Sequence, residues 1–281
     1  MIYGLRSRCY AGGLPFIALN MLVIIALLIF IVSGLSAWAI LRSSHSNPER
    51  WPMLGAILLH GGLVGHQIFH GGSIAIGTTE ALSLFTWQSA VLLWAFCWKG
   101  PLRTLGVVIY PLAGLCALLA AAYPSPASTL ALDWKARSHI ALSLMSAGVL
   151  TLAAVQACTL ALQDRFLHQH QTGQTFRGLP PLQTMETLLF QLIGIGFFLL
   201  SLTLLSGLWF IKDWMAQHLA HKTVLSITAW LLFGVLLWGR WRYGWRGRTA
   251  IRWTLSGYGF LLLAYFGSKI ILEQILDKHW S

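Results

Sequence analysis

His139-Ile-Ala-Leu-Ser-Leu-Met-Ser-Ala-Gly-Val-Leu-Thr-Leu-Ala-Ala-Val-Gln-Ala-Cys-Thr-Leu-Ala-Leu-Gln163 decides the class of this protein. The stretch carries no lysine, arginine, aspartate or glutamate and does not alternate with period two. A helix of about 20 apolar residues crosses a hydrocarbon core of roughly 30 Å. Inside that core the backbone must bond to itself, which leaves helices or closed barrels. Continuous apolarity without alternation selects the helix. Seven further runs read the same way, giving spans at 16–41, 52–71, 81–98, 104–122, 139–163, 186–210, 221–239 and 251–272. The first is too long for a signal-peptide core and reads as a retained helix.

Composition agrees. Of 281 residues 57% are hydrophobic and 10% charged, with mean hydropathy +0.69. A soluble domain carries roughly a quarter charged residues. The expectation is an all-α, polytopic membrane helix bundle of about eight transmembrane helices, forming one domain over 1–281. The net charge of +11 requires no nucleic-acid partner. Eleven of nineteen basic residues fall in loops that share one side if all eight runs cross. The densest is Arg240-Trp-Arg-Tyr-Gly-Trp-Arg-Gly-Arg248, where arginine and tryptophan suit the anionic headgroups of the lipid bilayer. That loop is expected in the cytoplasm and both termini on the periplasmic side. Cys9, Cys97, Cys116 and Cys158 form no CxxC, no CxxCH and no zinc spacing, so they read as packing residues.

Ionisable groups within spans are costly and are functional candidates. His139 and His221 each open a span from the same side, which places two imidazoles at one depth. His60 lies within span two, with His66 and His70 following at i, i+4 on one helical face. Arg137 and Lys222 stand beside the two opening histidines, and Lys269 with Glu273 closes span eight on that side. Two readings stay open on spacing alone. Paired imidazoles could ligate a haem iron, with Arg137, Lys222 or Lys269 neutralising its carboxylates and His60 deeper on a transfer path. Alternatively, the histidines bond headgroups and Lys269 snorkels to pair with Glu273.

The C-terminal third, with His221-Lys-Thr-Val-Leu-Ser-Ile-Thr-Ala-Trp230, Leu-Leu-Trp-Gly-Arg240, Gly-Trp-Arg-Gly-Arg248 and Leu-Leu-Leu-Ala-Tyr-Phe-Gly-Ser-Lys269, resembles the YpjD/HemX-like branch of the cytochrome c assembly (CcsA/CcmC) integral membrane family. The run from His139 through Leu-Gln-Asp-Arg165 and the segment Leu179-Pro-Pro-Leu-Gln-Thr-Met-Glu186 resemble it too. The resemblance is strongest over 130–275, and His60 matches more loosely. It implies a multi-pass protein of the bacterial inner membrane that handles non-covalent, b-type haem at the outer face. It also implies partners among membrane proteins of haem or cytochrome c biogenesis. His139 matches the outer histidine before a tryptophan-rich loop, and His221 is a feature of this branch. The resemblance thus makes His139 and His221 the axial iron ligands.

The chain departs from the family pattern between Trp209 and His221. There Trp209-Phe-Ile-Lys-Asp-Trp-Met-Ala-Gln-His-Leu-Ala220 lacks the WxWD core, and Trp238 replaces the inner histidine of the following helix. Three functions follow. The first is a haem-handling assembly factor, not a catalyst of covalent chemistry. The second is a haem-free auxiliary or regulatory subunit of another membrane protein or transporter. The third is a small-solute transporter using Lys269, Glu273 and the histidines; no inverted repeat supports it.

Overall fold

The computed structural model describes residues 14–42, 47–70, 73–76, 78–96, 101–123, 128–130, 134–168, 181–210 and 217–267. Among these residues are eight α-helices: α1 (Leu14–Arg42), α2 (Arg50–Ile68), α3 (Thr78–Phe96), α4 (Gly106–Ala122), α5 (Trp134–His168), α6 (Leu182–Phe210), α7 (Gln217–Tyr243) and α8 (Gly247–Leu262). The all-α expectation therefore stands, and every expected span has its helix. Among the described residues five helices are long and apolar enough to cross a membrane, namely those within 21–42, 102–122, 134–166, 182–209 and 222–243. The remaining helices, α2, α3 and α8, fall below that measure of length and hydropathy.

Several boundaries differ from expectation for local reasons. α5 begins at Trp134 and α7 at Gln217, so His139 and His221 lie about one turn inside their helices and not at the first position. Arg240 and Arg242 belong to the last turn of α7, where the negative end of the helix dipole favours cations. The expected arginine loop shrinks to the link Gly244–Arg246, made possible by positive φ at Gly244 (68°) and Gly247 (54°). His70 is not on α2: it lies in β1 (Phe69–His70), which breaks the expected helical pairing with His66. β1 pairs antiparallel with β2 (Ser73–Ile76), and β2 with β3 (Ser128–Leu130), where loops were expected. Backbone groups at these chain reversals bond to one another across the ladder.

The chain gathers into two compact units, residues 1–90 with 106–130 and residues 91–105 with 131–281. In the first, α1 turns Met21, Ile24, Leu28, Ile31, Leu35 and Trp38 outward, a three-and-four-residue spacing that presents one apolar stripe to lipid. Its other face packs on α4 through Ala26, Ile29, Ala117 and Ala121. A Cβ at Gly114 would lie 2.8 Å from the Phe30 Cα, so glycine sets how closely these helices approach. α2 meets α3 where Gly61 lies under the Trp87 ring, and Trp87 Nε1 donates to the Ile57 carbonyl at 2.9 Å.

In the second unit α5 and α6 pack closely. A Cβ at Gly196 would lie 2.5 Å from Leu150 Cδ2. Ser146 Oγ donates to the Gly196 carbonyl at 3.2 Å, and Gln156 Nε2 to the Met185 carbonyl at 2.9 Å. At one end of this unit Glu186 Oε1 accepts the Gly247 N–H at 2.6 Å, capping the start of α8 with a carboxylate. Arg248 Nε reaches Asp164 Oδ2 nearby at 3.1 Å.

Candidate functional site

α6 and α7 do not stay together along their length. They touch where Phe197 lies 3.4 Å from the position of a Cβ on Gly234. About one turn along α7, Trp230 stacks on Phe197 with ring centroids 5.4 Å apart. Trp230 Nε1 donates to Ser201 Oγ at 2.8 Å, and that hydroxyl donates to the Phe197 carbonyl at 2.8 Å. Beyond Trp230 the two helices line a cavity of about 500 Å3, a volume suited to a small molecule or cofactor.

His139 and Ser143 of α5, one turn apart on one face, line this cavity, as do Thr203 and Gly207 of α6 and Lys222, Ser226 and Trp230 of α7. Ala264 and Tyr265 complete it. They belong to a single π-helical turn, Leu263–Gly267, that follows α8. Such turns inside helical segments recur at functional sites. Tyr265 Oη donates to the Ser143 carbonyl at 3.2 Å, joining the π turn to α5.

The His139 ring is oriented by α6. Ser206 Oγ donates its only proton to the Thr203 carbonyl at 2.9 Å. With the proton of His139 on Nδ1, Ser206 Oγ accepts from that N–H, 2.9 Å away. That assignment leaves the lone pair on Nε2, the ring nitrogen remote from the backbone. A hydrogen bond on one imidazole nitrogen that fixes the tautomer and frees the other is how proteins prepare a histidine for a metal. Gly207 makes room for the ring, since a Cβ there would lie 3.2 Å from His139 Cε1. The donor set of a neutral imidazole, a lysine, several hydroxyls and two aromatic rings in an otherwise aliphatic slot fits a planar porphyrin with carboxylate arms.

The other expected site residues are placed differently. Lys222 lines the cavity with His139. Arg137 is exposed, in the first turn of α5, and does not line it. His221 stands on α7 one position before Lys222, but its side chain lies outside the described residues, as does Lys269 entirely. His60 belongs to the first unit and not to the cavity. It is buried between α2 and α3, with Nε2 2.9 Å from Ser83 Oγ. Sequence reasoning did not single out Ser206, Thr203, Ser201 or Tyr265. The signal of the three on α6 was a row of hydroxyls, two and three residues apart, in an aliphatic segment.

Comparison with known proteins identifies the kind of chain this is. The family described as Cytochrome C assembly protein matches residues 75–276, so the match begins well before residue 130 and excludes His60. The inner membrane protein YpjD of Escherichia coli (strain K12) is 40% identical over 137 residues, 49% of this chain and 52% of that protein. An uncharacterized 28.8 kDa protein in the nifR3-like 5′ region of Azospirillum brasilense is 34% identical over 140 residues, 49% and 52% of the two chains. The cytochrome c biogenesis protein CcsA of Thermosynechococcus vestitus is 26% identical over 100 residues, 35% of this chain and 31% of that one. The chain thus spans about half the length of the first two relatives and less of the third. No solved structure matches.

Proposed function

This chain belongs to the cytochrome c assembly protein family, and from that premise we propose that it handles haem in a bacterial inner membrane. Haem is held non-covalently in the α5–α6–α7 cavity. The observation that carries this reading is a cavity-lining histidine whose Nδ1 is engaged by the Ser206–Thr203 chain, so that its Nδ1–H tautomer keeps the Nε2 lone pair. When bound, haem supplies an iron whose axial positions accept neutral imidazole. His139 would hold the iron from within the cavity, with His221 as the second ligand. Lys222 balances a carboxylate from within the cavity, and Arg137, exposed outside it, and Lys269 are the further cations of the proposal. The protein orients and shields the cofactor, which other membrane proteins of haem or cytochrome c biogenesis deliver or receive. The cavity lies toward the periplasmic end of its helices, the end that shares its side with both termini, following the distribution of arginine.

The test is the visible spectrum of protein expressed with ample haem and purified in mild detergent. A Soret band lost in His139→Ala and in His221→Ala supports the reading. A well-folded protein without a Soret band, or with one indifferent to both substitutions, sinks it. A second reading is favoured by one feature, the missing WxWD core between Trp209 and His221. It makes the chain a haem-free auxiliary subunit, which would purify colourless and together with a membrane partner.

A further inference from the structure

The mouth of the cavity has a chemical character of its own. Leu205 and Leu208 of α6 and Ile227 of α7 line the cavity yet remain 61%, 57% and 40% exposed, so they form its rim. Around them the outer surfaces of the same helices are aliphatic and aromatic: Ile195 and Phe198 on α6, Val224 and Leu231 on α7. These positions fall inside the stretches 182–209 and 222–243, which are long and apolar enough to cross a membrane. On helices that cross a membrane, such an aliphatic surface faces the hydrocarbon of the bilayer. Below it the seam is shut by Trp230 on Phe197, and by Gly234 against the same ring. The polar groups, His139, Lys222 and the hydroxyls of Ser143 and Ser226, stand among the cavity lining behind that aliphatic rim.

We propose that the α6–α7 seam beyond Trp230 is a lateral portal, through which an amphiphilic tetrapyrrole dissolved in the bilayer reaches His139 without passing through water. The proposal rests on the haem reading above. A ligand with a planar apolar body and an anionic edge partitions into the membrane, slides past leucine and isoleucine, and meets its polar partners only once inside. A hydrophilic solute would have to cross the same rim at the cost of its hydration.

The experiment uses the full-length protein in lipid nanodiscs. Haem is offered either from phosphatidylcholine vesicles or from serum albumin in water. Iron-free protoporphyrin IX in vesicles is a parallel probe that does not depend on the His139–iron bond. Leu205→Trp and Ile227→Trp should each slow uptake of both tetrapyrroles from vesicles by about tenfold or more. Leu205→Ala should match or exceed the wild-type rate. Uptake insensitive to both tryptophans, a slower alanine variant, or wild-type loading faster from albumin than from vesicles overturns the portal. Rim-dependent uptake of protoporphyrin without a His139-dependent haem spectrum keeps the portal and removes the ligand assignment. A normal haem spectrum with rim-independent uptake does the reverse, and failure to take up either probe overturns both.

Discussion

The two units each contain one histidine bonded to one serine of a neighbouring helix, at the same distance, and they use it differently. His60 meets Ser83 across α2 and α3 through Nε2 at 2.9 Å, and is 2% exposed among packed side chains. His139 meets Ser206 across α5 and α6 through Nδ1 at 2.9 Å, half-buried on the wall of a cavity. The difference lies in which nitrogen is occupied. In the first unit the outer nitrogen is consumed by the helix contact, so the pair is a polar cross-link. In the second the inner nitrogen is consumed and the outer one remains available. An intramembrane histidine is therefore read from its engaged atom and from the space beside it, not from its depth.

The sharpest way to break this contrast is to exchange the two roles. His139→Ala should remove the Soret band altogether, whereas His60→Ala should keep the band and lower thermal stability; a colourless His60→Ala protein would collapse the distinction. Ser206→Ala should weaken haem binding by roughly 10–100-fold, the usual effect of losing the group that orients a ligating imidazole. Titration with haem at fixed protein concentration measures it, and an unchanged midpoint of thermal unfolding shows that the loss is one of orientation. Ser83→Ala should act only on stability, by about 1 kcal/mol, since interhelical hydrogen bonds in membranes are modest; denaturation in detergent checks this. Smallest is Trp230→Phe, which keeps the stack on Phe197 and loses only the bond to Ser201. It should cost about 0.6 kcal/mol and leave the spectrum in place.

What could be read from the residues alone was whatever repeats along the chain. Eight apolar runs became eight helices because hydrophobic length is local information. His139 and Lys222 were legible as polar groups in an apolar setting, and both line the cavity. The groups that give His139 its meaning were not legible. Ser206 lies 67 residues from it and Gly207 is one small residue among many, so only tertiary packing brings them to the ring. The three-stranded sheet escaped for the same reason, since β2 finds β3 more than fifty residues later. Where α8 gives way to the π turn, an apolar periodicity continues while the backbone changes its bonding, and side-chain pattern does not report that change.

The carboxylate of Glu186 on the Gly247 N–H and the ring of Phe197 against Gly234 give the second unit a mechanical property. Together they pin the start of α6 to the α7–α8 turn, while toward its other end the face of α6 turned to α7 lines the cavity. Phe197 then acts as a fulcrum, and the length of α6 from there to Leu205 is a lever arm of about 12 Å. A tilt of about 5° at the fulcrum moves the rim by roughly 1 Å over that arm, enough to change whether a flat ring can pass. Stiffness at one end of the unit thereby sets the aperture at the other.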